Sequence, residues 1–165
     1  MIGYVKRITP QVAEQLVKGQ ADEDIFFEGS AEDERMGQGL NLDKAWDGID
    51  FLFQNGNRKN NPDSAFLGAK KPLYLEEEFG YGPVMLIPVS EAVRIGEQLA
   101  RISDEDFSQR CATHHAALLE QEVYPFSVGE TVEEIDAYLT PYFKEVRGLF
   151  ARAASAGELV MFWVM

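Results

Sequence analysis

Apolar and polar side chains alternate at the start of the chain, a pattern that predicts a half-buried β-strand over residues 1–8. Residues 159–165 are instead apolar without interruption, which is typical of a strand buried on both faces. A third apolar run, over residues 84–87, predicts another short buried strand. Since neither terminal strand would be stable alone, we expect the first and the last strand to share one sheet, with the last strand in its interior.

Helical periodicity fills most of the chain between these strands. Thr9, which precedes a proline, and Ser90 are expected to begin helices, while Ser103 and Thr131 each stand three residues before an acidic residue that completes a capping box. Pro141 is expected to bend or interrupt the last helix, because proline removes a backbone donor. The predicted helices cover residues 10–18, 42–54, 90–101, 103–123 and 132–156.

This order of elements predicts one α+β domain over residues 1–165, with a small mixed sheet that contains the N- and C-terminal strands and is covered by several helices. The polar stretch over residues 20–39 is expected to be a long loop. Its apolar residues Ile25, Phe26 and Phe27 are expected to hold it against the core. Residues 55–64 have the composition of turns.

Acidic residues dominate the charge of the chain, with 28 Asp and Glu against 15 Lys and Arg and a net charge of −13. Such a molecule repels nucleic-acid phosphates and anionic lipids, so we expect neither nucleic acid nor a membrane as a partner. A single cysteine cannot form an internal disulfide, and no apolar stretch has the length of a signal peptide or a membrane helix. We therefore expect a cytoplasmic protein; its oligomeric state is not indicated.

Three aspartates stand at helical spacing within residues 42–54, namely Asp43, Asp47 and Asp50. Carboxylates on one helix face can hold a divalent cation or act as general acid and base. The alternative, which surface helices favour, is a solvated face with Asp43 as the N-terminal cap. Trp46 falls on the opposite, apolar arc and is expected to anchor the core.

The spacing of Cys111, His114 and His115 places a thiol and two imidazoles on adjacent faces of one helix. Structural zinc needs four ligands and catalytic zinc three, and the chain has no further cysteine or histidine. Cys111 also lies inside its helix, away from the N-terminus that would activate a thiolate. No glycine-rich phosphate loop is present either. We therefore predict no metal site, no cofactor and no catalytic residue.

Residues 40–52 read LNLDKAWDGIDFL and resemble the signature helix of the YfbM-like family of uncharacterised bacterial proteins. The resemblance implies a single α+β domain in a bacterial cell and brings no established activity, cofactor or catalytic residue. Further weak matches in the same order extend it over nearly the whole chain: residues 1–4, Tyr81-Gly82-Pro83, the helix start at Ser90, Tyr124-Pro125, and the long aromatic helix that ends before Gly157.

Residues 22–50 contain ten acidic residues against Arg35 and Lys44. Our first hypothesis is a small intracellular binding or protein-interaction domain without catalysis, in which this segment attracts a basic protein partner; an immunity or inhibitor role would fit. The alternative for the charge alone is solubility.

The second hypothesis is an enzyme or small-ligand-binding protein with a pocket beside the Trp46 helix. Its motivation is that Tyr81-Gly82-Pro83 and Tyr124-Pro125 are rigid aromatic turns at the ends of elements, where binding side chains are often placed. The candidate binding residues over both hypotheses are Asp43, Trp46, Asp47, Asp50, Tyr81 and Tyr124.

Overall fold

One antiparallel sheet forms the centre of this computed structural model, which describes residues 1–21, 24–27, 39–57, 65–70, 72–78 and 80–165. The strand order is β2-β1-β5-β4-β3, so the last strand is central. Much of the predicted loop over residues 20–39, and of the predicted turn over residues 55–64, lies outside the described residues. The strands are β1 (Gly3–Ile8), β2 (Gly39–Asn41), β3 (Leu73–Glu78), β4 (Pro83–Ile87) and β5 (Leu159–Val164).

β5 pairs with β1 along its whole length, from Gly3↔Val164 to Ile8↔Leu159, and its other edge pairs with β4. This confirms that the terminal strands share one sheet with the last strand inside it. The pairing is antiparallel at every described position, not mixed as predicted. β3 and β4 are joined by a short turn, which can connect only antiparallel strands.

The helices begin mostly where the capping residues predict. Thr9 accepts a hydrogen bond from the Val12 N–H, and both Ser103 and Thr131 form complete capping boxes. Within the described chain no helix is long and apolar enough to cross a bilayer. The helices are α1 (Pro10–Val17), α2 (Asp24–Phe27), α3 (Ala45–Phe53), α4 (Val89–Ala100), α5 (Asp104–Glu120) and α6 (Val132–Ala156), with a 3-10 turn at Phe66–Gly68.

Three local predictions need correction. Pro141 does not interrupt α6, which continues through it, because Leu139 and Phe143 on either side are both buried and hold the helix in place. Asp43 does not cap α3: it has a positive φ of 47° and lies one residue before the N-cap position. Ser90 does not cap α4, which already begins at Val89.

Two apolar cores lie on the two faces of the sheet. The larger core packs α3, α4, α5 and α6 against side chains such as Val5 and Phe162. The smaller core, on the opposite face, centres on Trp163 and Met161 and is covered by α1. Phe26 of α2 contacts Trp163 edge to face at 5.8 Å, so this part of the predicted loop does lie against the core.

Candidate functional site

Helix α3, which carries the predicted acidic face, is buried on nearly all sides. It packs between α5, α6 and the 3-10 turn. Gly48 faces α6 so closely that a Cβ atom there would lie 2.8 Å from the Phe126 ring and 3.0 Å from Leu139. Asp47, expected on a solvated face, is only 8 % exposed. The prediction of a solvated acidic face is therefore wrong, because the loop after α5 covers it.

Three of the candidate residues, Trp46, Asp47 and Tyr124, lie together. The Asp47 carboxylate accepts a hydrogen bond from the Tyr124 backbone N–H at 2.9 Å, and the rings of Trp46 and Tyr124 are 6.5 Å apart. The Tyr124 hydroxyl accepts a hydrogen bond from the amine of Met1 at 3.0 Å. This cluster ties the loop after α5 to α3 and to the start of β1.

Asp43 and Asp50 point to other elements. Asp43 accepts a hydrogen bond from the Tyr138 hydroxyl of α6 at 2.9 Å, while Asp50 accepts one from the Leu67 N–H of the 3-10 turn at 2.7 Å. Burial raises the pKa of Tyr138, and the Asp43 carboxylate beside it adds to the shift. The three carboxylates thus bind three different elements, and no group of acidic, histidine or cysteine residues in the described chain is arranged to hold a metal ion.

Trp46 packs against the larger core, as predicted. Its ring lies 6.0 Å from that of Phe162 and covers Gly3, where a Cβ atom would meet the indole at 2.6 Å. The indole N–H is buried and has no hydrogen-bond partner among the described residues. The side chain therefore acts as an anchor that requires glycine in the neighbouring strand.

Tyr81 lies apart from the other candidates. It is 72 % exposed in the turn between β3 and β4, and its backbone N–H donates to the Val164 carbonyl at 2.9 Å. Among the described residues, its side chain is not part of the cluster of Trp46, Asp47 and Tyr124. The structure thus brings together three of the six candidate residues.

Cys111 is a buried thiol that faces Asp136 of α6. Burial raises the pKa of the thiol to about 12, and the Asp136 carboxylate contributes to the shift. Asp136 also accepts hydrogen bonds from the hydroxyls of Ser108 at 2.9 Å and Thr140 at 2.7 Å. A thiol that stays protonated is a poor nucleophile, so the cluster joins α5 to α6 and does not resemble an activated cysteine.

The two histidines diverge from Cys111. His114 Nε2 lies 3.1 Å from the Asn55 side-chain oxygen after α3, and His115 Nε2 lies 2.8 Å from the Glu130 carbonyl before α6. Each imidazole therefore connects α5 to a different loop. Neither is directed with the Cys111 thiol toward a common ligand.

An acidic surface that our sequence analysis missed lies at the junction of α5 and α6. The chain has no lysine or arginine between Arg110 and Lys144, and that gap was the available signal. Val128, at the tip of the connecting loop, is 91 % exposed. We call this region the acidic loop surface; its residues are Glu120, Glu122, Val128, Glu130 and Glu133.

The loop of this surface is held by local hydrogen bonds. Glu130 accepts from the Ser127 N–H at 2.8 Å, and the His115 contact fixes the Glu130 backbone. The hydrogen bonds that the Thr131 N–H and hydroxyl donate to Glu134 hold the pKa of that carboxyl below its usual range. The Glu134 carboxylate, which follows this surface in the first turn of α6, therefore remains anionic even in mild acid.

Comparison with known proteins identifies the fold. The crystal structure of YfbM from Escherichia coli, a protein of unknown function, superposes with a TM-score of 0.65 at 20 % identity, over 100 % of both chains. No curated protein matches the sequence. A family model described as "Domain of unknown function (DUF1877)" matches residues 1–163. These findings confirm the resemblance to YfbM-like proteins, and the chain belongs to the DUF1877 family.

Proposed function

We propose that this protein is a cytoplasmic binding domain without catalysis that recognises a basic protein partner, in the manner of an inhibitor or immunity protein. The observation that carries the proposal is the acidic loop surface, where Glu120, Glu122 and Glu133 are exposed at the ends of the loop that carries the exposed Val128. Long-range attraction by the glutamates would speed association, and Val128 would supply the apolar contact at the centre of the interface.

The acidic segment over residues 22–50 supports this proposal through its charge, but its three helical aspartates do not form a contact surface. Asp43, Asp47 and Asp50 accept hydrogen bonds within the fold, so they do not present a continuous acidic face to a partner. The other acidic residues of the segment lie at positions 22–34 and add to the field of a molecule with a net charge of −13. The field would steer the partner, while the acidic loop surface would contact it.

A ligand pocket beside the Trp46 helix remains the alternative proposal. The cluster of Trp46, Asp47 and Tyr124 favours it, together with the unpartnered indole N–H. An argument against a pocket is that the Asp47 carboxylate already accepts a hydrogen bond from the Tyr124 N–H and so connects two parts of the fold. We therefore rank the interaction surface first.

The test is capture of partners from a native bacterial lysate at low and at high salt. The surface variant combines Glu122→Lys, Val128→Ser and Glu133→Lys. The control variant combines Glu97→Lys, Val17→Ser and Glu145→Lys, which change the same charge at exposed positions elsewhere.

We expect the wild type and the control variant to retain the same basic protein at low salt and to release it at high salt. The surface variant should bind that purified protein at least about tenfold more weakly, chiefly through slower association. If the surface variant binds as the control does, or if no basic protein is retained above an unrelated bait of equal charge, the proposal is wrong.

A further inference from the structure

Two clefts open side by side where α3 ends against α4. One has a volume of about 360 Å³ and the other of about 310 Å³, in the range of small-molecule sites. Phe53 and Gln98 line both clefts, so the two lie next to each other, and we treat them as one groove. We call it the α4 groove; its charged lining residues are Lys70, Arg94, Arg101 and Arg110.

The charge of the α4 groove is opposite to that of the molecule. The described residues that line it include four cationic side chains and no carboxylate, although the whole chain has 28 acidic residues against 15 basic ones. Arg94 and Gln98 of α4 and its C-cap residue Arg101 follow one another at helical spacing, so they lie on one side of this helix. Lys70 and Arg110 come from two other elements. A cationic groove in an acidic protein points to an anionic ligand.

Two of the four cations are held in place by the fold. Arg94 pairs with Glu91 at 2.9 Å and donates to the Gly68 carbonyl at 2.9 Å. Partial burial raises the pKa of Glu91, but the hydrogen bond from Arg94 and that from the Lys70 N–H outweigh it and hold the pKa below its usual range. Arg110 donates to the Phe53 carbonyl at the end of α3. Arg110 is thereby fixed in orientation as a donor for an oxyanion. The donors of Arg94 are largely engaged by Glu91, Gln98 and Gly68, so this residue shapes the wall of its cleft.

The other two cations are available to a ligand. The side chains of Lys70 and Arg101 are exposed, and neither donates a hydrogen bond to another described residue. Each stands in a different cleft, Lys70 with Arg94 and Arg101 with Arg110. The groove therefore offers two cationic positions with the Phe53 ring between them.

We propose that the α4 groove binds a small molecule with two oxyanion groups, phosphate or carboxylate. One group binds Lys70 beside Arg94, the other binds Arg101 and Arg110, and the body of the ligand contacts Phe53. The acidic remainder of the molecule repels a long nucleic acid, which limits the ligand to a small anion. This site is independent of the proposed protein partner.

Calorimetric titration with inorganic pyrophosphate and with citrate, at constant ionic strength, tests the proposal. The groove variant is Lys70→Gln/Arg101→Gln. The control variant is Lys44→Gln/Arg152→Gln, which removes two exposed cations elsewhere. Thermal melts without ligand verify that both variants are folded; should the groove variant unfold, Arg101→Gln alone replaces it.

We expect the wild type and the control to bind one equivalent of at least one probe, and the groove variant to bind it at least about tenfold more weakly, since hydrogen bonds to charged groups are strong. Preference for pyrophosphate would assign the ligand as a phosphate, and preference for citrate as a carboxylate. The proposal is wrong if the wild type shows no saturable binding of either probe at millimolar concentration, or if both variants bind alike.

Discussion

At the scale of single residues, Asp47 shows how a charged side chain can stabilise a fold from inside it. Its carboxylate receives the Tyr124 N–H, which belongs to a loop 77 positions away in the chain. A buried backbone donor without an acceptor is costly, so the Tyr124 N–H depends on this carboxylate. What resembled a surface charge is therefore a connection between two elements.

Replacing Asp47 by alanine should lower the free energy of unfolding by about 1–3 kcal/mol, because the Tyr124 N–H then loses its acceptor. Asp47→Asn keeps a side-chain oxygen and should lose less. The measurement is urea unfolding, with Glu133→Ala as an exposed control expected to change stability by less than about 0.5 kcal/mol. An Asp47→Ala variant as stable as that control would contradict the assigned role.

The sequence predicts that Trp46 lies on the buried side of α3, because the spacing of apolar residues within the helix itself is enough to show this. It does not predict the contact between Asp47 and Tyr124, since no local pattern relates positions so far apart. Helical spacing predicted that the three aspartates face solvent, because a surface helix normally has one side in water. In α3 other elements cover that side.

At the scale of elements, the glycine in the middle of α3 allows Phe126 and Leu139 to pack directly against the helix backbone. Gly48 lies in the middle of the helix, where alanine is normally the better helix former. Here the absence of a Cβ atom lets Phe126 and Leu139 approach the backbone. Packing has therefore overridden helix propensity at this position.

Gly48→Ala should destabilise the protein by about 1–3 kcal/mol, because the added carbon overlaps two buried side chains. Gly148→Ala in α6 is the matched comparison: the atom nearest to its Cβ belongs to the flexible Arg152 side chain, at 3.2 Å. That variant should gain up to about 1 kcal/mol from helix propensity. Thermal or urea unfolding of both variants measures the difference, and a Gly48→Ala variant as stable as the wild type or more stable would show that the contact at Gly48 is not tight.

Elements with local signals could be predicted from the sequence, and elements that depend on a distant partner could not. The capping boxes at Ser103 and Thr131 depend on residues three positions apart, and both are correct. β2 is only three residues long and exists because Leu40 pairs with Val5 of β1. β3 ends in a run of glutamates, so its sequence does not resemble a strand.

At the scale of the whole molecule, β5 is the element on which the others depend. It is hydrogen-bonded to β1 on one edge and to β4 on the other, and its side chains enter both cores. The uninterrupted apolar sequence of the strand predicted this central place, because a strand buried on both faces needs no polar positions. The charge of the α4 groove was not predictable in the same way, since its cations come from three separate segments.

Deletion of residues 159–165 should abolish cooperative unfolding. It removes several large apolar side chains, each contributing about 1.5–3 kcal/mol, from a domain whose total stability is on the order of 5–15 kcal/mol. Near-ultraviolet circular dichroism and a thermal melt measure the loss of fixed packing. Removing Met165 alone, which is 37 % exposed, is the control and should leave a cooperative transition. A truncated chain that melts near the temperature of the parent would mean that β5 is dispensable.

The pairing of β1 with β5 also sets how fast this domain can fold. The ladder joins Gly3 to Val164, so its first hydrogen bond closes a loop that contains almost the entire chain. The entropy of that closure is lost before any pairing compensates it, and proteins rich in such distant contacts fold more slowly than helical proteins of similar size. Among the strands that the structure describes, only β3 and β4 are close enough in the chain to pair locally. Assembly of the sheet is therefore expected to be a late event that requires both ends of the domain to meet.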